Sequence, residues 1–419
     1  MAIYTIQFQI QSNAPVEDLG YQLEVYKTIN DIPRYALHQT PITPLEAGYK
    51  TQLHRSLEID PTKDQHFILH FMLFKKVNGE YKALYDKPKT KLYSLDNPPK
   101  LSESKTENIC FFITRSTLAD FNKTIEYNNS IAKVCTVKIT KRPRPFEDQV
   151  YKQGTDKDPF SKETIEQQLQ NRLIGFDYPH QKFTSLCGPA AFFYCLLKDQ
   201  PDIYKQVVKD LWESGNVQLG NLTIKPSNDC RYPKGIHRLG ISGLDWITLA
   251  SLRDTENTIM DYQVRENFIS EGLAGITMVS AAKSWFEKVG AKCIFDNTML
   301  WTPFGLNHAK LKHLLDLNLY ADKSNYHVVV LIGAGMLDGT DDRETGEYPS
   351  PSKEHWIVWE GKVTSLKGDE ITEATPLTEK VKLKAFSWGR VEENYLRPDL
   401  TLGELLGYIF GGFIVTKIL

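Results

Sequence analysis

The chain is 419 residues long, a length that favours two domains over one. Its hydrophobic share of 41% and charged share of 24% are those of an ordinary globular protein and exclude a fibrous or disordered chain. A formal net charge of −2 argues against a nucleic-acid-binding surface and against a polybasic membrane patch.

The first segment, Met1-Ala-Ile-Tyr-Thr-Ile-Gln-Phe-Gln-Ile, alternates like a strand and lacks the basic and apolar regions of a signal peptide. No apolar run reaches the roughly 18 residues of a membrane span. The expectation is a protein made soluble in the cytoplasm, with any export through a specialised secretion system. Residues 1–142 read as β-rich. His66-Phe-Ile-Leu-His-Phe-Met-Leu-Phe and Tyr81-Lys-Ala-Leu-Tyr flank Asn78-Gly79, a pair that tolerates the positive φ of a tight hairpin turn. Asn108-Ile-Cys-Phe-Phe-Ile and Ala132-Lys-Val-Cys-Thr-Val-Lys-Ile continue the pattern, so an antiparallel β-sandwich-like domain is expected. It carries no catalytic constellation, and its expected role is to bind or dock a partner protein.

Residues 143–177 are polar, charged and proline-bearing, as in a linker with one short helix capped by Ser161. From 178 to 419 helices come first and strands later. Helices are expected at Pro201–Trp212, Leu244–Leu252, Val279–Val289, Asn307–Leu317 and Leu402–Phe410. Strands are expected at Ala291–Phe295, Tyr326–Ile332, His355–Glu360, Lys362–Leu366, Val381–Phe386 and Gly412–Leu419. Residues Gly339–Pro351 read as a charged loop. The fold class is therefore α+β, with helices gathered ahead of an antiparallel sheet.

Chemistry concentrates in Gln181-Lys-Phe-Thr-Ser-Leu-Cys187-Gly-Pro-Ala-Ala-Phe-Phe-Tyr-Cys195-Leu-Leu. Gly188 and Pro189 suit a helix start, because proline's missing N–H would find no intrahelical acceptor there. The apolar run from Ala190 makes that helix central to a core. A thiol at its N-terminus faces the positive end of the helix dipole, which favours thiolate. The other five cysteines, Cys110, Cys135, Cys195, Cys230 and Cys293, read as reduced buried thiols, with a Cys110–Cys135 bridge open. Cysteine spacing offers no zinc site, and no cofactor or metal is expected. Gln181, six residues before Cys187, can bring a side-chain amide to the Cys187 backbone N–H as a second oxyanion donor. Among the histidines, His355 and His327 each open a strand. His355 is preferred as base because a loop precedes it directly and a later strand leads to Ser387-Trp388-Gly389.

Taken in order, Gln181, Cys187-Gly188-Pro189-Ala190, His355-Trp356-Ile357-Val358 and Ser387-Trp388-Gly389 resemble a papain-like cysteine peptidase over residues 178–419. The likeness is to the bacterial branch with bacteriocin-processing peptidases and papain-like toxins or effectors. It implies that Cys187 is the nucleophile on the central helix, His355 the base and Gln181 an oxyanion donor. One position departs. Where papain has an asparagine that orients the histidine, this chain has Phe386, which cannot accept from an imidazole N–H. The third role is then open among Ser387, Glu360, Asp369, a backbone carbonyl, or no group at all. The resemblance implies cleavage of an amide bond in a protein or peptide. It leaves open acyl transfer, transglutamination or deamidation on the same fold, and an inactive binding protein.

Overall fold

A computed structural model describes residues 5–6, 10, 15–29, 32–38, 40–60, 66–84, 88–94, 144–256, 279–298, 307–338 and 354–418. The chain divides into two compact units, Met1–Pro145 with Gln218–Asn221, and Phe146–Val217 with Leu222–Leu419. Helices and antiparallel sheets are both present, which makes the protein α+β.

In the first unit, β1 (Leu19–Ile29) pairs with β2 (Ile32–Leu37) and β3 (His66–Val77). The strands β4 (Glu80–Ala83) and β5 (Lys89–Ser94) pair with β3 on its other side. Alternation decides which face is buried. Leu19, Tyr21, Leu23 and Val25 point inward with Phe67, Leu69, Phe71 and Leu73. Asn78 and Gly79 take φ of 53° and 84°, so the β3–β4 hairpin closes through the tight turn that the sequence indicates. Among the described residues this unit is one six-stranded antiparallel sheet with a two-stranded ladder. The strands expected at 108–113 and 132–139, and a Cys110–Cys135 bridge, lie outside the described residues.

The second unit starts at Phe146, so most of the stretch read as a linker is packed into it. Two of its aromatic residues anchor it: Phe146 and Phe160 are 0% exposed. Its polar residues act as caps. The buried Asp148 carboxylate accepts the N–H groups of Val150 and Tyr151 with one oxygen, and those of Gly235 and Ile236 with the other. Ser161 caps α1 (Lys162–Leu173) as expected, accepting from the Thr164 N–H. Gly243 lets this stretch approach closely, since an added Cβ would lie 1.8 Å from the Pro159 carbonyl oxygen.

Next come α2 (Cys187–Asp199) and α3 (Pro201–Ser214), the latter ending on Gly215 at φ 70°. The run Gly243–Asp245, Trp246–Ala250 and Ser251–Glu256 is helical throughout, with a π-turn in the middle. It packs on α2. After α4 (Val279–Lys288) come β6 (Cys293–Asp296), α5 (Asn307–Ala321), β7 (Tyr326–Gly333) and β8 (Glu354–Trp359). The chain closes with β9 (Ala385–Ser387), β10 (Arg390–Glu392), α6 (Leu402–Tyr408) and β11 (Ile409–Thr416). The six strands form one antiparallel sheet in the order β6-β11-β7-β8-β9-β10. Two expected elements shift. The strand expected at Val381–Phe386 breaks in two, because Val381–Lys382 pairs with Thr364–Ser365 before the chain joins the main sheet at Ala385. The last strand begins at Ile409, where helix α6 hands over directly to extended backbone. The loop expected at 339–351 lies outside the described residues.

Every residue of α2 from Cys187 to Leu197 is buried. Phe192 sits edge-on to Trp285 and Phe286, which in turn meets Phe413 of β11. Burying side chains of this size stabilises the unit by about 2–3 kcal/mol each. That packing fixes the height at which the helix start meets the sheet.

Candidate active site

Cys187 is the first residue of α2, and the first helical bond runs from the Ala190 N–H to the Leu186 carbonyl at 2.9 Å. The N–H groups of Cys187 and Gly188 therefore have no intrahelical acceptor. Both support the Cys187 sulfur, together with the backbone N–H of Trp356. Strand N–H groups lie in the plane of their sheet, so the sulfur sits beside β8, past the end of its pairing with β9 at Val358↔Phe386. It is thus one residue from His355. Burial pushes the Cys187 thiol above its ordinary pKa. The N–H groups of Trp356 and Gly188, the Arg253 charge and the N–H of Cys187 itself pull it back only in part. The donors expected of the helix terminus are present, and the desolvation of a sulfur in a residue 5% exposed works against them.

His355 is 4% exposed. Its Nε2 lies 2.7 Å from the Ser387 hydroxyl, and the Trp388 ring stacks on its imidazole at 5.1 Å between centroids and 20° between planes. Trp388 and Gly389 form the two-residue turn between β9 and β10, where Ser387 pairs with Arg390. Their φ values are 42° and 76°. A bulky residue at positive φ is uncommon, and such strain costs about 1–3 kcal/mol. In this turn the indole lies nearly flat on the imidazole. Behind it, the fully buried Tyr395 donates its hydroxyl to the Ser387 carbonyl at 3.0 Å, and Arg390 Nε donates to the same hydroxyl at 2.9 Å.

Phe386 faces the other way. Successive strand residues point to opposite faces, so the neighbour of Ser387 packs toward α2. Its ring stacks on Tyr194 at 3.9 Å and 2°. Phe386 thus ties β9 to α2, and the group that meets the imidazole is Ser387. The two carboxylates considered for that role are engaged elsewhere. Glu360 pairs with Lys198 and Tyr194, and Asp369 accepts from the Ser365 hydroxyl at 3.0 Å. His327, the other candidate base, lies 2.6 Å from Asp199 at the far end of α2, with both side chains buried.

Gln181 stands in the loop entering α2. Its backbone carbonyl accepts the Thr184 N–H at 3.2 Å and the Thr184 hydroxyl at 2.6 Å. Its side-chain Oε1 is buried and has no hydrogen-bond partner. A half-turn of the amide exchanges that oxygen for the N–H2 group, so one donor-capable end of Gln181 is buried and uncommitted. Among the described residues no cluster of three or more His, Cys, Asp or Glu side chains is placed to hold a metal ion, and no helix is long and apolar enough to cross a membrane. Cys187, Cys195, Cys230 and Cys293 are free thiols.

Compared with family models, curated proteins and solved structures, the chain matches none.

Proposed function

We propose that residues 178–419 form a papain-like cysteine peptidase or amidase domain on the structural base supplied by 146–177. The observation that carries this reading is the His355–Ser387 hydrogen bond under the Trp388 ring, one residue from the strand N–H that reaches the Cys187 sulfur. With Nε2–H given to Ser387, Nδ1 is the nitrogen that takes a proton from Cys187. The thiolate attacks an amide carbonyl carbon and forms an S–C bond, and the carbonyl π electrons move onto oxygen. The Gln181 amide and the Cys187 N–H stabilise that oxyanion. The imidazolium returns its proton to the leaving nitrogen as the C–N bond breaks. Water, deprotonated by His355, then splits the thioester, or another acceptor takes the acyl group. A protein-directed bacterial toxin or effector is the setting we favour, with the N-terminal unit as its docking module.

The burial that raises the Cys187 thiol makes His355 decisive and supplies the test. At about pH 6 a thiol that only burial governs is protonated and inert, whereas one paired with an imidazole is not. Iodoacetamide should alkylate Cys187 ahead of the other five cysteines, including the less buried Cys293, and His355→Gln should slow that alkylation about 100-fold. Peptide mapping by mass spectrometry reads both. If Cys187 reacts no faster than Cys293, the peptidase reading falls. A second reading then takes its place, an inactive papain-like binding protein, which a closed and protonated thiol would suit.

A further inference from the structure

We infer that His180 is a positioning residue for the oxyanion donor Gln181, and that it does so by clamping the Gln181 loop onto the turn that covers His355. This rests on the cysteine-nucleophile reading above. Two contacts converge on His180, and a third beside it ties its segment to the same turn. Its Nδ1 accepts the backbone N–H of Lys182 at 2.9 Å, closing a small ring around Gln181. Lys182 is held at φ 50°, a left-handed conformation that a long side chain rarely adopts. The local bond compensates for that strain, as Asx turns do where a side-chain acceptor takes the N–H two residues on. On its other side the imidazole rests on Gly389. An added Cβ there would lie 2.6 Å from His180 Cδ2 and 2.8 Å from its Cβ and Cγ. The Tyr178 N–H donates to the Gly389 carbonyl at 3.2 Å, so two points of the 178–182 segment grip the same turn.

The consequence follows from sequence order. Gln181 lies between the two atoms that His180 brings together, and its own carbonyl is fixed by Thr184. Its side chain can then point one way with little freedom, which a preorganised oxyanion donor requires. The Trp388-Gly389 turn that His180 presses on is the one whose indole covers His355. His180 therefore sets the oxyanion donor and the base relative to one another without touching the reacting atoms.

Acylation and alkylation separate this role from simple support of the fold. Acylation of Cys187 by p-nitrophenyl acetate passes through an oxyanion, whereas alkylation by iodoacetamide does not. In the full chain, His180→Leu should slow acylation about 10- to 100-fold and leave alkylation within about threefold of wild type. His180→Asn, which keeps an acceptor for the Lys182 N–H, should restore most of the acylation rate. Gln181→Ala should show the same split, and His180→Leu/Gln181→Ala should be no slower than Gln181→Ala alone. Parallel loss of both reactions in His180→Leu, no loss in either, failure of the asparagine variant, or additive losses in the double variant would each overturn the inference. If wild-type Cys187 is not acylated at all, the nucleophile reading fails first and this inference goes with it.

Discussion

Acylation of the full chain by p-nitrophenyl acetate is expected to fall at least about a thousandfold in both Cys187→Ala and His355→Gln. The two losses have different causes. On the proposed reading, Cys187→Ala removes the atom that forms the bond to the substrate. His355→Gln leaves that atom in place but returns it to the control of its surroundings, and burial holds the thiol in its protonated form. The glutamine retains an amide that can reach the Ser387 hydroxyl, so the hairpin under Trp388 stays closed. A rise of the His355→Gln rate with pH, continuing above the ordinary thiol range, should accompany the loss. The sign follows from the raised thiol: thiolate appears in that variant only as hydroxide removes the proton. On the proposed reading, in which His355 is the base, wild type should show no such steep rise. Circular dichroism of both variants tests that the fold is intact. A His355→Gln rate within about tenfold of wild type would remove His355 from the chemistry.

The same residues show what the sequence makes legible. A Gly-Pro pair ahead of an apolar run places the start of α2 at Cys187, since those residue types answer local rules. Asn78-Gly79 and Gly215 are legible for the same reason: positive φ is a property of one residue and its neighbours. What lies beyond reach is set by pleat and packing. The order of Phe386 and Ser387 does not say which faces the imidazole. The answer depends on Phe386 stacking on Tyr194, a partner almost two hundred positions away. His180 looks like a loop residue until the Gly389 turn is folded against it. The ionisation of Cys187 is a balance between donors, which the helix start implies, and desolvation, which depends on the whole core. The stretch 143–177 misleads through composition. Its charged and proline-bearing residues outnumber the ones that matter, Phe146, Phe160 and Asp148.

That stretch also holds the second large effect expected here, in the Arg172–Asp245 pair. Arg172 on α1 donates Nη1 and Nη2 to the two oxygens of Asp245 at 3.0 and 3.3 Å, and Nε to Asp177 at 2.9 Å. The side chains of Arg172 and Asp245 are 2% and 3% exposed. Burial works against the Arg172 charge, and Asp245 with Tyr204 more than restores it, so the guanidinium stays ionised. The Ser242 hydroxyl donates to Asp245 at 2.8 Å and so completes the carboxylate's contacts. Arg172→Met should lower the unfolding free energy of this unit by about 3–5 kcal/mol, because it strands a buried carboxylate. Replacing both partners, as Arg172→Met/Asp245→Leu, should recover at least about half of that loss, since no uncompensated charge is left inside. Urea unfolding followed by tryptophan fluorescence reports on it, as Trp246 adjoins Asp245 in the chain and is fully buried. A single-variant loss below about 1 kcal/mol would mean the pair is incidental. The pair joins α1 to the helical run that carries Arg253 toward the Cys187 sulfur, so residues 146–177 belong to the unit that bears the thiol. A fragment beginning at residue 178 should then be insoluble, while one beginning at 144 folds.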